Sequence, residues 1–276
     1  MPELPEVETI RRELESTIVG LCIAEVQITD STLCSGRRAP ATLPGAGPAW
    51  RGVRGCRIKG VERWGKFLAL RLDSGKTLLI SLRMTGQLLW GEPRPGARAR
   101  ISFEGRRETL NFMDARRLGE MRILGHAEAE AFRSGLGPDA WEALDGPGLC
   151  RALRRRRASR IHSALLNQRV VAGVGNIYAA EALFRARIRP SRRVGRLSAG
   201  EVRSLADGLR ESLSQGLRHE GCTVRSFRDI FERPGRAQNH LAVYGRSGRP
   251  CPSCRSPLAS TRITGRGVAY CRRCQA

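Results

Sequence analysis

Met1-Pro2-Glu3-Leu4-Pro5-Glu6-Val7-Glu8 opens the chain, with two prolines and three carboxylates in its first eight residues. The continuation to Gly20 sets Val7, Ile10, Leu14 and Ile18 at spacings of three and four, closed by a glycine of the kind that ends helices. This spacing predicts an amphipathic helix over residues 3–19, and such a helix needs a surface on which to bury its stripe. Chain termini fray unless something ties them down, so the rest of the chain has to hold this end still. Glu3 and Glu6, three apart, fall on one side of the first turn, where the positive helix end favours ionised carboxylates. Two readings of Pro2 stand here. Either it introduces the helix, or, once Met1 is trimmed, it presents a secondary amine that can act as a nucleophile without a side chain.

The surface for that helix follows directly. Strand-like runs occur at residues 21–29, 56–62, 66–72, 77–82, 99–103, 109–113 and 120–124, with a loop rich in Gly and Pro over 31–49. Asp73-Ser74-Gly75-Lys76 and Glu104-Gly105-Arg106-Arg107 read as hairpin turns. Short strands with turns at this spacing predict a sandwich or barrel with the first helix packed on it. After about Gly125 the pattern turns helical, with segments at 127–132, 145–156, 159–166, 176–187 and 199–218. Ser198-Ala199-Gly200-Glu201 is a capping box at the start of the last. Gly173-Val174-Gly175-Asn176 precedes another helix and reads either as a simple interhelical turn or as a phosphate site made of amides and a helix end. The run from Arg154 to Arg157 reads either as a solvated face or, in so basic a chain, as a source of one or two phosphate contacts.

The C-terminus carries Cys251-Pro-Ser-Cys254 and, sixteen residues on, Cys271-Arg-Arg-Cys274. Paired Cys-x2-Cys knuckles at this separation predict a tetrahedral four-cysteine zinc site. Four thiolates leave no open position, so the metal is structural, and one Zn2+ supplies folding free energy to a module too small for a core. The hairpin between the knuckles carries Thr264-Gly265-Arg266-Gly267 at its tip. The other five cysteines are scattered singly, which fits a reducing compartment.

Composition narrows the partner. Lys plus Arg number 49 against 26 Asp plus Glu, a formal charge of +23. Such an excess is the electrostatic footprint of a nucleic-acid binder. Only Lys59, Lys66 and Lys76 are lysines, which singles out three compact ammonium groups in an arginine-rich chain. No apolar run is long enough to span a membrane, and the N-terminus is acidic where a targeting segment is basic. A soluble, cytoplasmic protein is therefore expected. A length of 276 residues predicts two domains and an appendage, drawn at 1–135, 136–240 with a mobile loop near 220–238, and 241–276.

The motifs together resemble the bacterial formamidopyrimidine-DNA glycosylase family over essentially the full length. The resemblance rests on the opening block through Thr9, Gly65-Lys66-Phe67-Leu68, Met84-Thr85-Gly86, Asp114-Ala-Arg-Arg117, Gly173-Val-Gly-Asn-Ile-Tyr178, Val243-Tyr-Gly245 and the four-cysteine finger with Arg266. Leu4 is similar to the oxidised-purine branch rather than the oxidised-pyrimidine, endonuclease VIII-like branch. The resemblance implies an α+β fold of two domains. The first is a β-sandwich with the N-terminal helix on it; the second is helical, with a helix-two-turns-helix motif and a zinc-finger hairpin.

It also implies a monomeric bacterial repair enzyme that flips a damaged purine from duplex DNA, excises it, and cleaves the abasic site by β,δ-elimination, without a nucleotide cofactor. By matching position Pro2 is the nucleophile, Glu3 transfers protons, Glu6 orders the site, and Lys66 binds phosphate near the lesion. Asn176 and Arg266 grip the backbone of the flipped nucleotide, and Met84, Arg116 and Leu118 fill the gap in the duplex. Two positions depart from the family pattern: Ser81 stands where histidine is common, with Arg83 the nearby candidate to compensate, and Leu118 stands where a wedge phenylalanine is common. The alternatives are an oxidised-pyrimidine glycosylase and a non-catalytic zinc-ribbon DNA-binding protein, the latter resting on charge and finger alone.

Overall fold

A computed structural model describes residues 2–30, 32–35, 50, 52–224 and 226–276. The loop expected over 31–49 thus lies mostly outside the described residues, as does Met1, although Thr32–Ser35 forms a helical turn, α2. The chain divides into two compact units, Met1–Arg133 with Glu220–Arg236, and Ser134–His219 with Ala237–Ala276.

Among the described residues the first unit is built on helix α1 (Leu4–Ile18) and eight strands. β1 (Ile23–Ile28), β6 (Ala99–Phe103), β7 (Thr109–Asp114) and β5 (Gly86–Gly91) form one antiparallel sheet in that order. β2 (Ile58–Trp64), β3 (Phe67–Leu72), β4 (Thr77–Ser81) and β8 (Glu120–Leu124) form the other. One core takes side chains from both sheets, among them Ile101, Leu110 and Phe112 from the first and Leu68, Leu78 and Ile80 from the second. Val7, Ile10, Leu14 and Ile18 of α1 join that core, so the apolar stripe is buried where its period placed it. Phe227 and Ile230 join it too, which is why Glu220–Arg236 belongs to this unit although it follows the helical region in sequence.

The sequence reading missed β5. Its Gln87-Leu88-Leu89-Trp90 stretch does not alternate and is bounded by Gly86 and Gly91, so its strand character comes from pairing with β7 rather than from local pattern. A helix, α3 (His126–Ser134), follows β8.

The second unit contains α4 (Gly146–Leu153), α5 (Ile161–Leu166), α6 (Asn176–Arg185) and α7 (Ala199–Arg218). Both halves of the predicted capping box form: Glu201 N–H donates to Ser198 Oγ at 3.2 Å, and Ser198 N–H to Glu201 Oε2 at 2.8 Å. The predicted helix over 145–156 is capped by the Asp145 carboxylate and tightens into a 3-10 turn at Arg154–Arg156. β9 (Ala259–Ile263) and β10 (Arg266–Tyr270) make the C-terminal hairpin, so Arg266 is the first residue of the returning strand, paired with Ile263, rather than part of the turn. No helix among the described residues is long and apolar enough to cross a membrane.

Candidate active site

In the first unit, local chemistry fixes the N-terminal residues. Glu3 is the N-cap of α1 and Pro5 lies in its first turn, where a missing N–H costs nothing. Glu6 reaches back so that its Oε2 accepts the Glu3 N–H at 2.7 Å, and its Oε1 accepts the Cys222 N–H at 2.7 Å. One buried carboxylate thus ties the helix start to the Glu220–Arg236 segment. Gly221 is required there: its φ is +85°, and a Cβ would lie 2.9 Å from Glu6 Cγ. Glu3 and Glu6 are 2% and 1% exposed, and Pro2 is buried beside them. The described residues from Pro2 onward are therefore held, not frayed.

Glu13, two turns further along α1, accepts the Ile230 N–H at 3.1 Å and pairs with Arg233, which also holds Asp229. Burial, with the nearby Asp229 carboxylate, pushes Glu13 up to about 7. Lys66 lies in the two-residue connection of the β2–β3 hairpin, whose strands pair Trp64 with Phe67, and is half-buried. Lys76 donates to the Gly52 carbonyl at 2.9 Å and has a structural partner.

Met84 is 40% exposed on the turn between β4 and β5. Arg116, exposed, and Leu118, half-buried, occupy the turn after β7. Arg116 Nη1 comes within 3.9 Å of Met84 Sδ, so these two turns adjoin. Ser81 is buried at the end of β4, and Arg83 is paired with Glu120 at 2.9 Å. Asp114, whose sequence motif by itself indicates no role for it, accepts hydrogen bonds from both turns.

In the second unit, Gln168 pins the turn before α6, accepting the Gly173 N–H at 2.9 Å and donating to the Val174 carbonyl at 2.9 Å. Asn176 then opens α6. Its Nδ2 donates to the Gly267 carbonyl at 3.1 Å, and its Oδ1 lies 2.9 Å from His162 Nε2. This joins the turn to the hairpin residue next to Arg266, itself exposed. His162, which the sequence reading passed over, is fully buried; burial pushes it down to about 4, with the Arg266 charge adding to the shift. The neutral ring then donates from Nε2, which fixes Asn176 with its amide nitrogen toward the hairpin.

The sulfurs of Cys251, Cys254, Cys271 and Cys274 lie within 4.8 Å of one another. A tetrahedral zinc with bonds of about 2.3 Å requires sulfurs roughly 3.8 Å apart, so the cluster fits the ion. The neighbouring Cys254 thiol pushes Cys274 up to about 12, the resistance to ionisation that a bound cation removes. Leu258 and Val268 of this module pack with Ala180 of α6. The buried Glu181 carboxylate accepts the N–H groups of Ala242, Val243 and Tyr244 at 2.8, 2.9 and 2.8 Å, anchoring the segment that leads into it.

Comparison with known proteins gives these features a context. The profile of the formamidopyrimidine-DNA glycosylase N-terminal domain matches residues 1–121, and that of the formamidopyrimidine-DNA glycosylase H2TH domain matches 136–228. The formamidopyrimidine-DNA glycosylase of Thermomicrobium roseum is 40% identical, covering 100% of this chain and 99% of its own length. That of Thermus thermophilus is 41% identical, covering 100% and 98%. The crystal structure of the MutM (Fpg) protein from Thermus thermophilus superposes with a TM-score of 0.86 at 39% identity, covering 99% of this chain and 98% of the other. Lactococcus lactis Fpg in complex with N7-benzyl-Fapy-dG DNA superposes at 0.87 with 30% identity, covering 99% of each chain.

Proposed function

Because the chain belongs to the formamidopyrimidine-DNA glycosylase family, and is thus a DNA glycosylase, we propose that it excises oxidised purines from duplex DNA and cleaves the resulting abasic site. The observation that carries the reading is the double use of Glu6, which holds the start of α1 so that Pro2 and Glu3 are buried together. Ordinary dipole complementation asks for a carboxylate at a helix start but not for a buried one bonded at both oxygens.

The glycosidic bond is inaccessible within the base stack, so the damaged nucleotide has to leave it. Met84, Arg116 and Leu118 fill the space it vacates. With Met1 removed, the Pro2 nitrogen attacks C1′ of the deoxyribose while the bond to the base breaks and the base departs with a proton. Glu3 assists opening of the sugar ring and carries protons. The secondary amine then forms an iminium ion that is cationic without protonation. Loss of a C2′ proton into that electron sink breaks the C3′–O bond, and a further elimination breaks C5′–O. Lys66 holds phosphate near the lesion, and Asn176 and Arg266 grip the backbone of the flipped nucleotide. The four cysteines hold one structural Zn2+ that keeps the Arg266 hairpin folded. The protein acts as a monomer on damaged double-stranded DNA, without a nucleotide cofactor.

Intact mass and borohydride trapping test this together. The mature protein is expected to lack Met1 and to form a covalent adduct with a duplex holding one 8-oxoguanine. Pro2→Gly, or one residue added ahead of Pro2, is expected to remove the adduct. Undiminished adduct in both variants overturns the assignment of Pro2. Preferential processing of oxidised pyrimidines in the same assay assigns the other branch.

A further inference from the structure

Asp114 ends β7, and its side chain is fully buried. It takes no part in the chemistry above, yet it bonds to every turn that carries a gap-filling side chain. Its Oδ1 accepts the Thr85 hydroxyl, next to Met84, and the Arg116 N–H at 3.3 Å. Its Oδ2 accepts the N–H groups of Leu118 at 2.7 Å and Gly119 at 2.6 Å, and the Arg98 guanidinium at 3.0 Å. Its backbone carbonyl accepts the Arg117 N–H at 3.2 Å.

The two turns it joins are both strained. Arg83, just before Met84, and Arg117, just before Leu118, have φ of 51° and 52°, a left-handed conformation that non-glycine residues keep only when their surroundings impose it. The approach is also close: a Cβ on Gly119 would sit 2.5 Å from the Phe112 ring and 3.2 Å from Asp114 Oδ2. Burial alone raises the Asp114 carboxyl, but the donors from Thr85, Gly119 and Leu118 and the Arg98 charge outweigh it and hold the group below the usual carboxylate range. Arg98 is itself held by Asp30 at 2.9 Å, so the counter-charge is fixed as well.

We propose that Asp114 is a positioning residue for base extrusion: one carboxylate clamps both turns in a single register, so that Met84, Arg116 and Leu118 enter the duplex as one rigid unit. This rests on the insertion of those three side chains proposed above. A wedge has to resist the stack that it opens, and a turn free to relax yields instead of the DNA. An amide at this position keeps the shape but presents an NH2 group to donors, so at least one turn loses its anchor.

The test uses Asp114→Asn and Thr85→Val on two probes: a duplex with one 8-oxoguanine, and a single-stranded oligonucleotide with one abasic site, where nothing has to be extruded. Asp114→Asn is expected to slow single-turnover excision from the duplex on the order of 10- to 100-fold, while borohydride trapping on the single strand stays at the wild-type level. Thr85→Val, which removes one arm, is expected to give a smaller loss, with the double variant no worse than Asp114→Asn, because the two act through one contact. Wild-type excision by Asp114→Asn overturns the inference, and so does an equal fall on both probes, which assigns Asp114 to general folding. Wild-type protein that neither excises nor traps overturns the glycosylase reading and this inference with it.

Discussion

At the scale of single residues, two buried titrating groups give opposite pH signatures, one in each compact unit. His162 has its folded pKa depressed from 6.5 to about 4, so its contribution to stability is present above 6.5 and is lost as pH falls through 4. Glu13 has its folded pKa raised from 4.5 to about 7, so its contribution is present below 4.5 and is lost as pH rises through 7. Thermal melting against pH is expected to show His162→Gln removing an acid-side loss, and Glu13→Gln an alkaline-side loss, each on the order of 1–3 kcal/mol. Neither residue drew notice in the sequence: His162 is one imidazole at a helix start and Glu13 one acid on a charged helix face. Burial drives both shifts, and a residue far along the chain adds to each, Asp229 for Glu13 and Arg266 for His162.

At the scale of elements, caps and turns separate what is local from what is not. The capping box of α7 depends only on Ser198 and Glu201, so it was readable from four residues, and Ser198→Ala is expected to cost about 1 kcal/mol in denaturant unfolding. The Glu220–Arg236 segment is different, because Glu6, Glu13 and Gln87 anchor it from remote positions. Gly221→Ala is expected to displace it, combining a disallowed φ with a contact against Glu6, and to cost about 1–3 kcal/mol along with most of the excision activity. Circular dichroism melts and single-turnover excision measure the two effects. Strand β5 belongs with this second kind: only its ladder to β7 makes it a strand.

At the scale of the whole molecule, a formal charge of +23 makes counterion release a large share of DNA binding. The logarithm of affinity is expected to fall against the logarithm of salt with a slope of about −5 or steeper, and a flat plot contradicts the phosphate contacts. Removal of zinc, or Cys271→Ala, is expected to abolish DNA binding while the strand-rich unit keeps its melting transition, as scanning calorimetry reports. Much of this protein was determined by sequence alone, because its determinants are local: the period of α1, the alternation and turns of most strands, the capping box, and the cysteine spacing that brings four sulfurs within 4.8 Å. Charge balance likewise depends on composition and on no fold. Tertiary structure alone decided that Glu6 bonds at both oxygens, that Glu220–Arg236 returns to the first unit, and that Asp114 gathers two turns around one carboxylate. Each depends on a partner distant in sequence, Cys222 for Glu6 and Thr85 for Asp114, and a buried polar group is stable only where its donors meet it, which no local pattern records.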